Sequence, residues 1–211
     1  EGMGVNIFTS FAADSLFVED TKVVGVRTTA LGLKRDGTQT AQAMPPTDLS
    51  ARVTVLSEGT RGTLAQAICS IQNIESEIPQ IFALGVKEIW KVKKAPDSIL
   101  HTLGWPLPTD AFGGSFLYPL ADDLVAMGLV VGMDYRKSNL DVHMMLQNMK
   151  QHPFFKKILD GGEIVEWGAK TIPEGGYNAI PKRLCGDGFL ILGDSAGLVN
   201  VPALKGIHYA M

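Results

Sequence analysis

Two short stretches of this sequence combine residue types that could hold a hydroxyl-rich or anionic cofactor. In residues 186–206, the apolar run Phe189-Leu190-Ile191-Leu192 leads into Gly193-Asp194 and then Ser195-Ala196-Gly197. Such a run reads as a strand buried on both faces, and ligands bind beyond the carboxyl ends of strands of this kind. A carboxylate placed there accepts a hydrogen bond from a sugar or ribityl hydroxyl, and small residues beside it let the backbone approach the ligand. After a loop holding Asn200-Val201-Pro202, Gly206 opens a predicted helix whose amides and positive dipole end suit an anionic atom. His208 on that helix is a candidate contact, with a structural role equally open. A lone Gly-Asp after a strand is a weak signal. Joined to the small-residue step and the helix start, it favours a flavin, whose N1/O2 edge gains electrons more readily beside positive charge.

The second stretch is Val53 to Ala65, where a β-branched run delivers Glu58-Gly59 to a turn and Arg61-Gly62 precede helical spacing from Leu64 to Ile68. Acid-Gly followed by a basic residue is common in ordinary turns. Only beside the first stretch does it read as the returning strand of a two-domain flavoprotein.

The elements that position these residues follow from local pattern. Val5 to Phe8 reads as a strand, and Ala12 to Val18 pairs with Val23 to Thr29 across the polar turn Glu19-Asp20-Thr21-Lys22. Residues 32–48, with Asp36-Gly37 and Pro45-Pro46, read as an exposed excursion. Ile81 to Val92 and Ile99 to Trp105 look like antiparallel strands. Phe112 to Leu120 and Leu124 to Tyr135 form a hairpin across Ala121-Asp122-Asp123. Asn139 is the predicted cap of a helix to about His152, with Leu140, Met144, Leu146 or Met145, and Met149 facing a core. Pro153 ends it. A second helix over Phe154 to Leu159 stops at Gly161-Gly162, and Ile164 to Ile172 returns as a strand.

Composition narrows the classes. With 211 residues, 45% hydrophobic and 19% charged, the chain is globular in make-up and can bury a substantial core. A formal charge of -3 and an isoelectric point near 5.8 argue against nucleic acid as a partner; the Lys91, Lys93, Lys94 group reads as a solvated strand end. Cys69 and Cys185 cannot complete a four-thiolate cluster or zinc site, and the four histidines lack metal-ligand spacing, so no metal is expected in this sequence. The longest apolar run, Leu124 to Met133, is about half of what a helix needs to cross a bilayer. Ser195 lacks the Gly-x-Ser-x-Gly context of a hydrolase nucleophile. Glu1-Gly2-Met3-Gly4 reads as a helix tail and residues 206–211 as a helix beginning, so both ends look cut and the sequence reads as a fragment.

Between the two cofactor stretches lies an ordered series of motifs: Phe112-Gly113-Gly114-Ser115-Phe116-Leu117-Tyr118-Pro119, then Gly128 to Tyr135, His152-Pro153, Leu159-Asp160-Gly161-Gly162, Trp167-Gly168-Ala169-Lys170, Glu174-Gly175-Gly176 and Ile180-Pro181-Lys182, followed by Asn200-Val201-Pro202, Lys205-Gly206 and His208. Their order resembles the electron-transfer flavoprotein–ubiquinone oxidoreductase family, in its middle region, from Val5 to Met211. The resemblance implies a fold of mixed α+β and α/β class, in which partial FAD-binding strands of the Rossmann-like, glutathione-reductase type flank an antiparallel-sheet quinone domain. It places the FAD-binding parts at 1–66 and 184–211 and the quinone-binding domain at 67–183. FAD contacts are expected from Glu58, Gly59, Arg61, Gly193, Asp194, Gly197, Pro202, Gly206 and His208. By the same resemblance Gly113 and Gly114 offer backbone groups to a ubiquinone carbonyl, and residues without side chains let a flat ring lie against the chain.

The family takes electrons from reduced electron-transfer flavoprotein and passes them to ubiquinone. It carries a four-iron four-sulfur cluster whose ligands are not in this chain. It sits peripherally on a membrane, either the mitochondrial inner membrane on its matrix side or a bacterial cytoplasmic membrane. The sequence departs from the family by lacking its Gly-x-Gly-x-x-Gly phosphate loop and cysteine-rich cluster region. Two alternatives stay open: a related FAD-dependent prenyl (geranylgeranyl) reductase or monooxygenase-like flavoprotein, and an inactive truncated remnant.

Overall fold

The structure, a computed structural model, describes residues 2–203 and 205–211; the expected terminal motif at Glu1 and the Leu204 position of the 186–206 stretch lie partly outside them. Along the chain run β1 (Ala13–Glu19), β2 (Lys22–Thr28), β3 (Leu31–Leu33), β4 (Gln39–Met44), β5 (Asp48–Ser50), β6 (Thr54–Leu56) and α1 (Thr63–Ile71). Then come β7 (Phe82–Lys91), β8 (Leu100–His101), β9 (Gly113–Pro119), β10 (Leu124–Gly132), α2 (Val142–Lys150), α3 (Pro153–Leu159) and β11 (Glu163–Pro173). The last elements are β12 (Cys185–Gly186), β13 (Phe189–Ile191) and α4 (Ile207–Ala210), with a 3-10 turn at Gly193–Ala196. They form two compact units, one of Glu1–Ile78 with Tyr177–Met211, the other of Pro79–Gly176.

The first unit is built on short strands. β13 lies between β12 and β6, antiparallel to the former and parallel to the latter, with Thr54, Val55 and Leu56 opposite Phe189, Leu190 and Ile191. Because the pair is parallel, both carboxyl ends emerge at one edge of this small sheet, and the Leu192 amide still donates to the Leu56 carbonyl at 2.9 Å. Phe189 and Ile191 are buried with Val23, Leu56, Leu64, Ala65 and Ile68. Leu190 and Leu192 are half-buried, so the run is less enclosed than its composition suggested. The expected hairpin of β1 and β2 is present, and residues 32–48 are largely exposed. Val5 to Phe8, read as a strand, is irregular: Val5, Ile7 and Phe8 are more than half exposed, and among the described residues no strand pairs with them.

The second unit is a five-stranded sheet in the order β11-β7-β10-β9-β8, antiparallel throughout. Its central strand β10 buries Val125, Met127, Leu129 and Val131 completely. Val142, Leu146 and Met149 of α2, spaced for one helix face, share that core with Phe155 and Leu159 of α3. Two expectations shift here. The cap of α2 is Asp141, whose carboxylate accepts the Met144 amide at 2.9 Å, in place of Asn139. Starting the helix at Val142 turns Met144 outward, where it is half exposed. Of Ile99 to Trp105, only Leu100 and His101 pair, against β9. The remainder loops, held by Thr102 and Gly104 amides donating to the Ser115 and Gly113 carbonyls.

Candidate functional site

In the first unit the parallel strands deliver both cofactor stretches to one sheet edge. Beyond β6, the Glu58 carboxylate accepts the amides of Leu64 and Ala65 at 3.1 and 2.9 Å, and the Thr63 hydroxyl at 3.4 Å. These are first-turn amides of α1, whose own cap position is Gly62 and has no side chain to satisfy them. Glu58 therefore acts as the cap from four residues upstream, at the positive end of the helix. Gly59 follows at positive φ, and Arg61 lies exposed in the turn before α1.

Beyond β13, Gly193 to Ala196 make a tight turn closed by Gly197, whose φ of 73° is left-handed and whose amide donates to the Asp194 carbonyl. Ser195 ties the two loops together by donating from Oγ to the Gly59 carbonyl at 3.0 Å. Asp194 is half-buried, and its carboxylate has no hydrogen-bond partner among the described residues. It lines a hollow of about 860 Å³ together with Asn200, Lys205, Gly206, His208 and Tyr209. A Cβ placed on Gly206 would lie 3.6 Å from the Asp194 Oδ1, so the missing side chain keeps the approach to the carboxylate open.

Of the nine FAD residues expected from sequence, Asp194, Gly206 and His208 thus meet on one hollow. Gly193 and Gly197 shape its turn, and Pro202 sits exposed in the loop between. Glu58 and Gly59 are joined to this turn through Ser195, but the Glu58 carboxylate is already engaged by α1. The helix begun at Gly206 spans four residues, Ile207 to Ala210. A half-buried carboxylate with no partner among the described residues, sharing a hollow with a lysine and a histidine, suits a ligand with both hydroxyl and anionic groups, as the polar edge of a flavin nucleotide has.

In the second unit, Gly113 and Gly114 open β9 opposite Val131 and Val130. A Cβ on Gly113 would stand 2.1 Å from the Val130 carbonyl oxygen, and one on Gly114 1.9 Å from that of Thr102. Backbone crosses backbone here too closely for any side chain. The Gly113 carbonyl already accepts the Gly104 amide at 2.8 Å. Below the loop, Ser115 and Thr102 join hydroxyls at 2.7 Å, and the Ser115 amide donates to Thr102 Oγ1.

Two features of this unit escaped the sequence reading. Glu88 is 3% exposed and accepts from Lys150, Trp90 and Gln147 at 2.7 to 3.1 Å. Burial alone would raise its carboxyl, but these bonds outweigh burial and hold it below the usual carboxylate range. The second is an aromatic hollow of about 400 Å³, lined by Leu100, Thr102, Trp105, His152, Phe154 and Phe155. Among the described residues no cluster of metal-ligating side chains occurs, and no helix is long and apolar enough to cross a membrane.

Residues 82–172 match the family model described as ETF-QO, ubiquinone-binding. Over its whole length the chain is 41% identical to the mitochondrial electron transfer flavoprotein-ubiquinone oxidoreductase of Arabidopsis thaliana and 38% identical to that of Homo sapiens. It spans about a third of these curated relatives, 34% and 35% of their lengths. Among solved structures it is similar to a geranylgeranyl bacteriochlorophyll reductase-like protein of Thermoplasma acidophilum, with TM-score 0.69 at 17% identity over 94% of this chain and 44% of the other. It is also similar to the flavin-dependent halogenase CmlS, with TM-score 0.64 at 17% identity over 99% of this chain and 35% of the other. Those likenesses carry the fold alone: the mixed α/β arrangement expected from sequence is the one these structures share.

Proposed function

We propose that this chain, a homologue of part of the electron transfer flavoprotein–ubiquinone oxidoreductases, is the middle region of an FAD-dependent enzyme that moves electrons from reduced electron-transfer flavoprotein to ubiquinone. The observation that carries this reading is the half-buried Asp194 carboxylate just beyond β13, without a hydrogen-bond partner among the described residues and facing a hollow it shares with Gly206 and His208.

The first unit would hold part of the FAD. Asp194 would accept a hydrogen bond from a hydroxyl of the ribityl chain, and Gly206 would leave room for it. Lys205 and His208 supply positive or donating groups toward the cofactor's anionic edge. Gly59, Arg61, Gly193, Gly197 and Pro202 form the loops around it, with Glu58 fixing the start of α1. Bound FAD supplies the two-electron redox chemistry. The second unit would receive ubiquinone, with backbone groups of Gly113 and Gly114 toward a ring carbonyl; two electrons and two protons convert it to ubiquinol. No acid–base pair of the chain has to break a carbon bond, so its residues bind, orient and exclude water. The cluster expected in such an enzyme draws no ligands from this sequence, which has two cysteines. On this reading the enzyme would sit peripherally on a membrane, as ubiquinone is a membrane substrate; the relatives are named mitochondrial.

Asp194→Asn tests the reading in the enzyme that carries this chain. Removing a charged acceptor weakens FAD binding by on the order of tenfold, read by titration of flavin fluorescence. Unfolding free energy changes by less than about 0.5 kcal/mol, because no protein partner is lost. Unchanged FAD affinity would remove Asp194 from the site. A flavin that reduced electron-transfer flavoprotein bleaches and a ubiquinone analogue restores is the expected cycle; its absence would refute the assignment.

A further inference from the structure

We propose, resting on the FAD reading above, that Ser195 is a positioning residue for the cofactor: its hydroxyl clamps the Glu58-Gly59 loop to the turn that carries Asp194. The ladder between β6 and β13 is short. Three residues of each strand pair, and a last bond runs from the Leu192 amide to the Leu56 carbonyl. Beyond it both chains enter loops that turn at left-handed glycines, Gly59 at φ 87° and Gly193 at φ 59°. A Cβ on Gly59 would meet nothing within 4 Å, so no neighbour packs against that side of the residue. Loops built on such permissive backbone need a tie to keep a constant separation. The Ser195 Oγ, donating to the Gly59 carbonyl at 3.0 Å, supplies it.

The tie belongs to a wider knot. The Gly59 carbonyl also accepts the Gly62 amide at 3.1 Å, which engages the second lone pair of that oxygen. Gly62 is the cap position of α1, and a Cβ there would lie 2.8 Å from Glu58 Oε2 and 3.0 Å from Ser195 Oγ. Ser195, Gly59, Gly62 and the Glu58 carboxylate thus meet at one point.

On the other side of the knot, the amides of Gly197 and Leu198 donate to the Asp194 and Gly193 carbonyls and close Gly193 to Ala196 into one tight turn. A hydrogen bond that fixes Ser195 therefore fixes the backbone of Asp194 beside it. The serine acts without touching the cofactor. It sets where the Asp194 carboxylate stands relative to the loop before α1, as a supporting residue does for the group that meets the ligand.

The test titrates FAD into the FAD-free enzyme carrying this chain and follows flavin fluorescence. Ser195→Ala should weaken binding about fivefold, the size of one lost hydrogen bond. Ser195→Thr keeps the hydroxyl and should restore affinity to within about twofold. In an Asp194→Asn background, Ser195→Ala should cost less than about twofold, because the charge it places is gone. Gly62→Ala disturbs the knot without removing the hydroxyl. Its φ of -54° suits any residue, yet the new methyl crowds Glu58 and Ser195. FAD binding should weaken alike, and the double variant with Ser195→Ala should be little worse than either single one. Run in both Asp194 backgrounds, Gly62→Ala decides the matter in the same way if Ser195→Ala does not fold. Unchanged affinity for Ser195→Ala beside a weakened Asp194→Asn overturns the clamp and keeps the FAD reading. Equal losses in both Asp194 backgrounds also overturn it, since the serine would then act without the carboxylate. If the wild type takes up no FAD, the reading itself fails and the clamp goes with it.

Discussion

The two units bury their polar groups to opposite effect. In the second, Glu88 is surrounded by donors and nearly inaccessible, and Ser115 and Thr102 satisfy one another beneath the glycine pair. In the first, Asp194 stands half-buried at the end of a three-residue strand with no partner among the described residues. A satisfied buried carboxylate is structure; an unsatisfied one at a strand end invites a ligand. The supporting frames differ likewise. The second unit closes its sheet with two pairings between consecutive strands, β8–β9 and β9–β10, and two long-range ones of β7 with β10 and β11, all antiparallel, while the candidate cofactor site hangs on the short parallel pair β6 and β13.

The sharpest way to break this contrast is Lys150→Met. Leaving Glu88 buried without its cation should lower the unfolding free energy by about 3–5 kcal/mol, whereas the double change Glu88→Leu with Lys150→Met should recover most of it; urea unfolding measures both. Acid sharpens the same point. Folding lowers the Glu88 pKa, so the unfolded chain binds that proton more readily. The stabilisation is whole above the ordinary glutamate value, about 4.3, and is lost as pH falls through the lower folded value. Lys150→Met should abolish this acid-sensitive component. If its stability fell with acid as steeply as the wild type's, Glu88 would not be its source.

Gly114→Ala comes next, since its methyl would meet the Thr102 carbonyl at 1.9 Å. Overpacking against backbone should cost about 1–3 kcal/mol in thermal or urea unfolding whether or not quinone is present. An alanine tolerated without loss would mean that the glycine answers to a ligand alone. The smallest effect is Glu58→Ala. Removing the cap from α1 should cost about 1 kcal/mol, as other caps do, and a neutral result would return Glu58 to the cofactor.

One part of the second unit was legible because its pairing is local, whereas β7 meets β10 and β11 from far along the chain. The hairpin of β9 and β10 follows from two apolar runs around Asp122 and Asp123, both at positive φ, which aspartate tolerates. The helix face of Leu146 and Met149 shows in the spacing, although the expected cap, Asn139, stands two positions before the Asp141 that caps the helix. Val5 to Phe8 misled because four residues of strand-like composition mean nothing without a strand to pair with.

By itself the sequence determined most of the element types, the ordered motifs that tie the chain to its relatives, and the candidacy of Asp194, Gly206 and His208. Only the tertiary structure decided that Glu58 is engaged in capping α1, that Ser195 joins the two loops, that Glu88 meets Lys150, and that Leu100, Trp105, His152 and Phe155 wall one hollow. Each of those contacts depends on where separate elements lie in space, and chain spacing encodes only neighbours along a strand or helix. Packing selects among the many long-range meetings that the same local patterns permit.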